Sequence, residues 1–154
     1  MTPIAPLQDT SLQAVRAHRA ELRESIGALE QALAGPTPGR VAAWAERVHV
    51  ALVELSADLR EHVALTAGPQ GLHREVLATA PRLAGAVRRL VDEHVAITEL
   101  VERMIDGVSA PLDDDEVAAT RGLGVRLLGR LIQHRQAGAD MIYEAYQTDI
   151  GGET

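Results

Sequence analysis

Apolar residues recur at helical spacing in four long stretches of this chain. The first carries Val15, His18, Leu22, Ile26, Leu29 and Leu33, and the second Val41, Trp44, Val48, Leu52, Leu55, Leu59, His62 and Thr66. The third presents Leu83, Val87, Leu90, His94, Ile97, Val101 and Met104, and the fourth Leu127, Leu131, His134, Gly138, Met141 and Ala145. Steps of three and four residues put each set on one face of a helix, and no stretch alternates with the period of two that a strand requires.

Punctuation between the stretches sets their ends. Thr10 with Gln13 reads as a capping box for the first helix, and Gly35-Pro36 ends it. Thr37-Pro38 reads as the start of the second, a capping hydroxyl followed by proline, and Gly68-Pro69 stops it. Residues 70–80 read as a short helical excursion ahead of Pro81, and the third helix runs to near Gly107. Asp113 with Glu116 makes another capping box inside an acidic first turn that suits the helix dipole. The connections are short enough for antiparallel neighbours. The expected fold is all-α: an up-down-up-down four-helix bundle over residues 10–147, with an irregular arm at 1–9 and a flexible tail at 148–154.

Each of the four apolar faces holds one histidine: His18, His62, His94 and His134. At ~1.5 Å of rise per residue the four fall within around two turns of one depth in the bundle. Imidazole is the commonest metal-ligating side chain, and a buried imidazole needs polar partners that an apolar core rarely supplies. A metal site built from these four histidines is the resulting expectation, against the plainer one of isolated core histidines each hydrogen-bonded locally. His49 lies off its helix's apolar face and His73 in the excursion, so both are expected in solvent, His73 near the mouth of the site.

Composition narrows the chemistry. The 154 residues carry a net charge of -7, and all 15 basic residues are scattered arginines, which argues against nucleic acid or anionic membrane as partners. Cysteine is absent, so thiolate metal sites and disulfides are excluded. No apolar run approaches the ~20 residues of a membrane span, and the polar, proline-bearing start shows no signal-peptide core. A cytoplasmic protein is expected. No phosphate-cradling glycine loop, zinc-protease motif or nucleophile elbow occurs.

The sequence resembles the hemerythrin-like (HHE cation-binding) family. The likeness rests on His18, on Leu59-Arg-Glu-His62, on Leu90-Val-Asp-Glu-His94 and on Leu131-Ile-Gln-His134, and covers about residues 10–147. It implies a four-helix bundle with a non-haem di-iron centre, linked to dioxygen binding, iron handling, and nitric-oxide or redox responses. The family pattern also places bridging carboxylates about one turn after the second- and fourth-helix histidines. Here those positions hold Thr66 and Gly138, followed by Ala67 and Ala139, and the positions one turn either side of His94 hold Leu90 and Thr98. The related DinB-like bundles bind one metal through three histidines, two of them one turn apart on a single helix, a pairing this chain lacks.

The departure matters because two adjacent hard irons need anionic oxygen ligands. Neutral imidazoles alone better suit one zinc, copper(I) or iron(II) ion, or two half-built sites, with His18 and His62 in one half and His94 and His134 in the other. Iron, one or two ions, follows from the resemblance; zinc and copper follow from the donor chemistry. Glu21, three residues after His18, is the best-placed substitute carboxylate. Glu144 falls about 15 Å from the depth of His134. Glu61 and Glu93 should point sideways, as partners behind a ligand or as surface charges. Small residues at Thr66 and Gly138 should leave a polar gap beside the imidazoles, where a small anion or substrate completes the coordination.

Three readings follow. The chain binds or senses a small ligand such as dioxygen, nitric oxide or an anion at a metal. It is a metal-dependent enzyme acting on a small substrate at an open coordination position. Or it is a metal-free, degenerate bundle used for interaction or homodimerisation. Tyr143 and Tyr146 share the least generic segment. Tyr143 is expected to face away from the core, toward a partner or over the excursion.

Overall fold

The computed structural model describes residues 5–148, and among these the chain is helical with no strand. Helix α1 spans Ala5–Ala34, α2 Val41–Ala67, the short α3 Leu72–Thr79, α4 Ala84–Val108 and α5 Asp114–Tyr143. A 3-10 turn at Pro81–Leu83 leads into α4, and a π turn at Glu144–Thr148 extends α5. The four long helices form the expected antiparallel bundle with α3 as the excursion. Packing is closest between α1 and α2, α2 and α4, and α4 and α5.

Two boundaries differ from the sequence reading. Residues 5–9 belong to α1 rather than to an irregular arm. Pro6 sits in the first turn, where its missing N–H costs nothing. One turn on, Ser11 Oγ donates to Glu75 Oε1 of α3 at 2.7 Å, which ties the helix start to the excursion. Residues 1–4 and the tail from 149 lie outside the described residues, while Thr148 closes the π turn. The second helix begins at Val41, not at Thr37-Pro38. Gly39 takes the left-handed conformation at φ 69°, and Arg40 N donates to Thr37 O to close a turn ahead of the helix. The capping box at Asp113 is present in both directions, Glu116 N to Asp113 Oδ1 at 2.8 Å and Asp113 N to Glu116 Oε1 at 3.2 Å.

The core divides into two apolar clusters. One, at the end of the α1–α2 and α4–α5 loops, gathers Leu29, Trp44, Leu52, Leu55, Met104 and Leu127, all fully buried. The other, around the excursion, gathers Val15, Leu72, Val76, Leu90 and Met141. Along every long helix the histidine falls between the two. His18 follows Val15 and precedes Leu22, His62 lies between Leu59 and Leu65, His94 between Leu90 and Ile97, and His134 between Leu131 and Met141. The bundle therefore carries a polar layer across its core.

Helices α1 and α5 close the bundle at one end and part towards the other. Arg121 of α5 donates from Nε to Leu33 O at 3.1 Å and from Nη2 to Gly35 O at 2.7 Å. It thereby covers the carbonyls that end α1 and complements its dipole. The same guanidinium stands 5.3 Å from the Trp44 ring centroid, and Trp44 Nε1 donates to Leu33 O. Here the backbones approach so closely that a Cβ on Gly124 would sit 2.5 Å from Leu33 Cδ1. About 21 Å further along α5, a Cβ on Gly138 would meet nothing within 4 Å. The space left between the parting helices is a cavity.

Trp44→Ala is expected to lower unfolding free energy by about 3–5 kcal/mol, since it empties a fully buried indole site and frees Arg121. Asp113→Ala should cost about 1 kcal/mol through loss of the cap. Urea titrations followed by circular dichroism measure both; equal, near-zero effects would contradict this description of the core.

Candidate metal centre

Helices α2, α4 and α5 each contribute one imidazole to a single point. One ring nitrogen each of His62, His94 and His134 lies within 4.8 Å of the others. The rings meet edge to face, with centroids 5.2 Å apart for His62–His94, 5.5 Å for His62–His134 and 4.6 Å for His94–His134. His94 and His134 are buried, and His62 is partly open. Such convergence follows from the fold. All three residues lie at the boundary of the two apolar clusters, on helices packed in chain order, so their apolar-face positions point to one axis.

The donor set fits a metal ion. His62 Nε2 and His134 Nε2 stand 3.4 Å apart, against about 3.3–3.4 Å for the edge of a tetrahedron with metal–nitrogen bonds of 2.0–2.1 Å. His134 Nδ1 lies 2.6 Å from Glu93 Oε1. A carboxylate only accepts, so Nδ1 carries the proton and Nε2 turns its lone pair toward the other two rings. Glu93, which precedes His94 in sequence, thus acts through His134, as its sideways direction from α4 implies. His94 has both ring nitrogens buried and without a partner, an arrangement that costs about 1–3 kcal/mol per polar group unless something binds there.

Electrostatics keep His62 and His94 neutral. Burial, reinforced by His134 and the other imidazoles, lowers the pKa of His94 to about 3. Burial first, then His134, His18, His73 and Arg19, lowers that of His62 to about 4. Neutral imidazole is the ligating form.

His18 does not join the triad. It lies in the same polar layer, but its Nε2 donates to Asp58 O at 2.8 Å. Its Nδ1 faces Glu21 Oε2 at 3.3 Å and Glu61 Oε2 at 3.5 Å. The pairing of His18 with His62 is thereby corrected. The open α1–α5 seam sets α1 to one side, and His18 finds its partners on α2, at Asp58 and Glu61, and on its own helix at Glu21. Glu21 stands beside His18 rather than the triad. His18, Glu21 and Glu61 form a separate group whose ligating atoms also lie within 4.8 Å of one another, with both carboxylates exposed.

His73 was expected in solvent and is instead buried at 6% exposure. Helix α3 folds back under the layer and stacks its ring on His94, with planes 1° apart and centroids 6.0 Å apart. Its Nδ1 has no partner, and burial, then His134, lowers its pKa to about 4. The short helix repeats too few turns to show which face is buried. The signal available was Leu72 and Val76 flanking His73 at spacings of one and three.

The gap expected at Thr66 and Gly138 is present. A cavity of about 350 Å³ lies along the α1–α5 seam, lined by both residues and by His62, His73 and His134. It is mainly apolar rather than polar, its wall including Leu12, Val15, Leu22, Leu131, Met141 and Ile142. Thr66 Oγ1 donates to His62 O at 2.8 Å, so its hydroxyl is occupied by its own helix. Tyr143 is exposed, as expected. Tyr146 packs on the α3 cluster, where burial and then Glu75 raise its pKa. Among the described residues no helix is long and apolar enough to cross a membrane.

Acid should destabilise the metal-stripped protein. His62, His73 and His94 hold pKa values below 6.5 when folded, so between pH 6.5 and about 4 the unfolded chain binds more protons. Stability from these groups is then fully present above pH 6.5 and is lost as pH falls toward 4. Thermal melts from pH 7.5 to 4.5 should show this fall, reduced in His94→Leu; an unchanged slope in that variant would contradict the assignment. Comparisons with protein-family models, with curated proteins and with solved structures find no match to this chain, so the functional reading rests on the geometry above.

Proposed function

We propose that this chain is a hemerythrin-like bundle adapted to hold a single metal ion on His62, His94 and His134, where the ion binds a small ligand from the α1–α5 cavity. The observation that carries this reading is the convergence of three imidazoles from three helices, with His94 lacking any other partner. Buried polar groups are normally satisfied, and one ion satisfies all three at once.

The donor chemistry favours zinc. Three nitrogen donors and one open position match a four-coordinate zinc ion, and the 3.4 Å edge suits its bond lengths. Iron(II) and copper follow next, since imidazole also suits both. A carboxylate-bridged iron pair has no support at the bridging positions, where Thr66 and Gly138 stand. Each residue has a distinct part. His62, His94 and His134 hold the ion, Glu93 fixes the ring and tautomer of His134, and the cavity admits the ligand. When bound, the ion supplies a Lewis-acidic centre for an anion or a polarised oxygen.

An enzymatic reading is favoured by one observation, the buried His73 lining the same cavity. It places a fifth titratable group, beside the triad and Glu93, where a proton can be given or taken during turnover.

Elemental analysis of protein purified without chelator should give about one zinc-like ion per chain. His62→Ala, His94→Ala and His134→Ala should each lose it, and His18→Ala should retain it. Glu93→Gln should weaken affinity by roughly 10–100-fold while leaving the stoichiometry intact. Two ions per chain, with loss of one in His18→Ala, would overturn the single-ion reading in favour of a pair including Glu21 and Glu61. No ion after reconstitution would overturn it altogether.

A further inference from the structure

We infer that the ligand taken up at this centre is a medium-chain aliphatic carboxylate, its head group on the ion and its chain in the α1–α5 cavity. This rests on the single-metal reading and adds the chemical class of the ligand.

The first argument is charge. The three side chains that hold the ion bring imidazole nitrogens and no carboxylate oxygen to it, so an anion is the natural fourth ligand. The mouth of the cavity has the same preference. Arg19, Arg23 and Arg135 line it against one carboxylate, Glu30, in a chain whose overall charge is -7. The charged side chains lining the cavity are thus mostly cationic, opposite in sign to the protein as a whole, which suits an anionic ligand.

The second argument is surface. Away from the imidazoles and the arginine rim, the wall is aliphatic and supplies few hydrogen-bonding groups to a polar ligand. Inorganic anions such as nitrite or azide would reach the ion and leave this wall uncovered. A volume of about 350 Å³ corresponds to about a dozen water-sized groups, so an acid of eight to ten carbons fills it.

The third argument is the absence of a side chain at Gly138. Glycine weakens a helix interior, and here no neighbour requires it, since an added Cβ would touch nothing within 4 Å. Gly138 lines the cavity beside His134, so a larger side chain there would take up part of its space. Gly124, on the same helix, is different: Leu33 excludes a Cβ there.

Cobalt(II)-loaded protein, in which visible bands report anion coordination, tests the inference with acetate, butanoate, hexanoate, octanoate and octanol as probes. Octanoate is expected to shift the cobalt bands and to bind far more tightly than acetate. The gain should be up to roughly four-fold per methylene, which is about 0.8 kcal/mol each, until the cavity is full. Octanol should leave the bands unshifted. Gly138→Leu should keep one cobalt per chain and acetate binding, yet lose most of the advantage of octanoate. Cobalt binding with no dependence on chain length, or with equal dependence in Gly138→Leu, overturns the inference and leaves the metal reading standing. Failure to bind cobalt or zinc removes both.

Discussion

A layer of imidazoles across an otherwise apolar core is the constraint around which this bundle is arranged. Burying imidazole costs free energy unless each ring nitrogen finds a partner, and helix backbones, already hydrogen-bonded internally, offer few. The chain meets the requirement in two ways. His18 takes a backbone carbonyl from α2 and two carboxylates at the surface. His62, His94 and His134 instead converge, and only His134 has a carboxylate behind it. That leaves both ring nitrogens of His94 without a partner beside two further imidazoles, a poor arrangement for a metal-free core and a good one for a cation.

The open seam between α1 and α5 gives this cluster access to small molecules. Arg121 and Gly124 draw the two helices together at one end, while the excursion holds the start of α1 at the other through Ser11 and Glu75. Between these ties the helices diverge past Gly138. The cavity and the histidine triad are therefore products of the same geometry: α1 stands aside, so His18 is left out of the triad and the triad is left open.

Resemblance to hemerythrin-like bundles and the chemistry of this chain point in different directions at two positions. Thr66 and Gly138 stand where the resemblance expects the carboxylates that a pair of hard ions needs, and among the described residues no carboxylate joins the triad's group of ligating atoms. Glu93 comes nearest, but it reaches the far nitrogen of His134. The consequence is a triad with imidazole donors alone and with room beside it. Both properties favour an added ligand over a closed dinuclear core.

Much of the architecture was legible in the chain itself. A periodicity of 3.6 over long stretches, glycine–proline breaks and the Asp113 capping box are local signals, so helix number, order and the candidate histidines could be read directly. The start of α1 and of α2 could not, because the first depends on the contact of Ser11 with α3 and the second on the turn at Gly39. Nor could the burial of His73, which rests on an eight-residue helix folding under the layer. Sequence determined which residues face the core and at what depth, since periodicity and rise per residue are properties of one helix alone. Which three of the four histidines meet, which carboxylate supports them and where the bundle stays open were decided by tertiary structure, because those depend on how far apart separate helices are held.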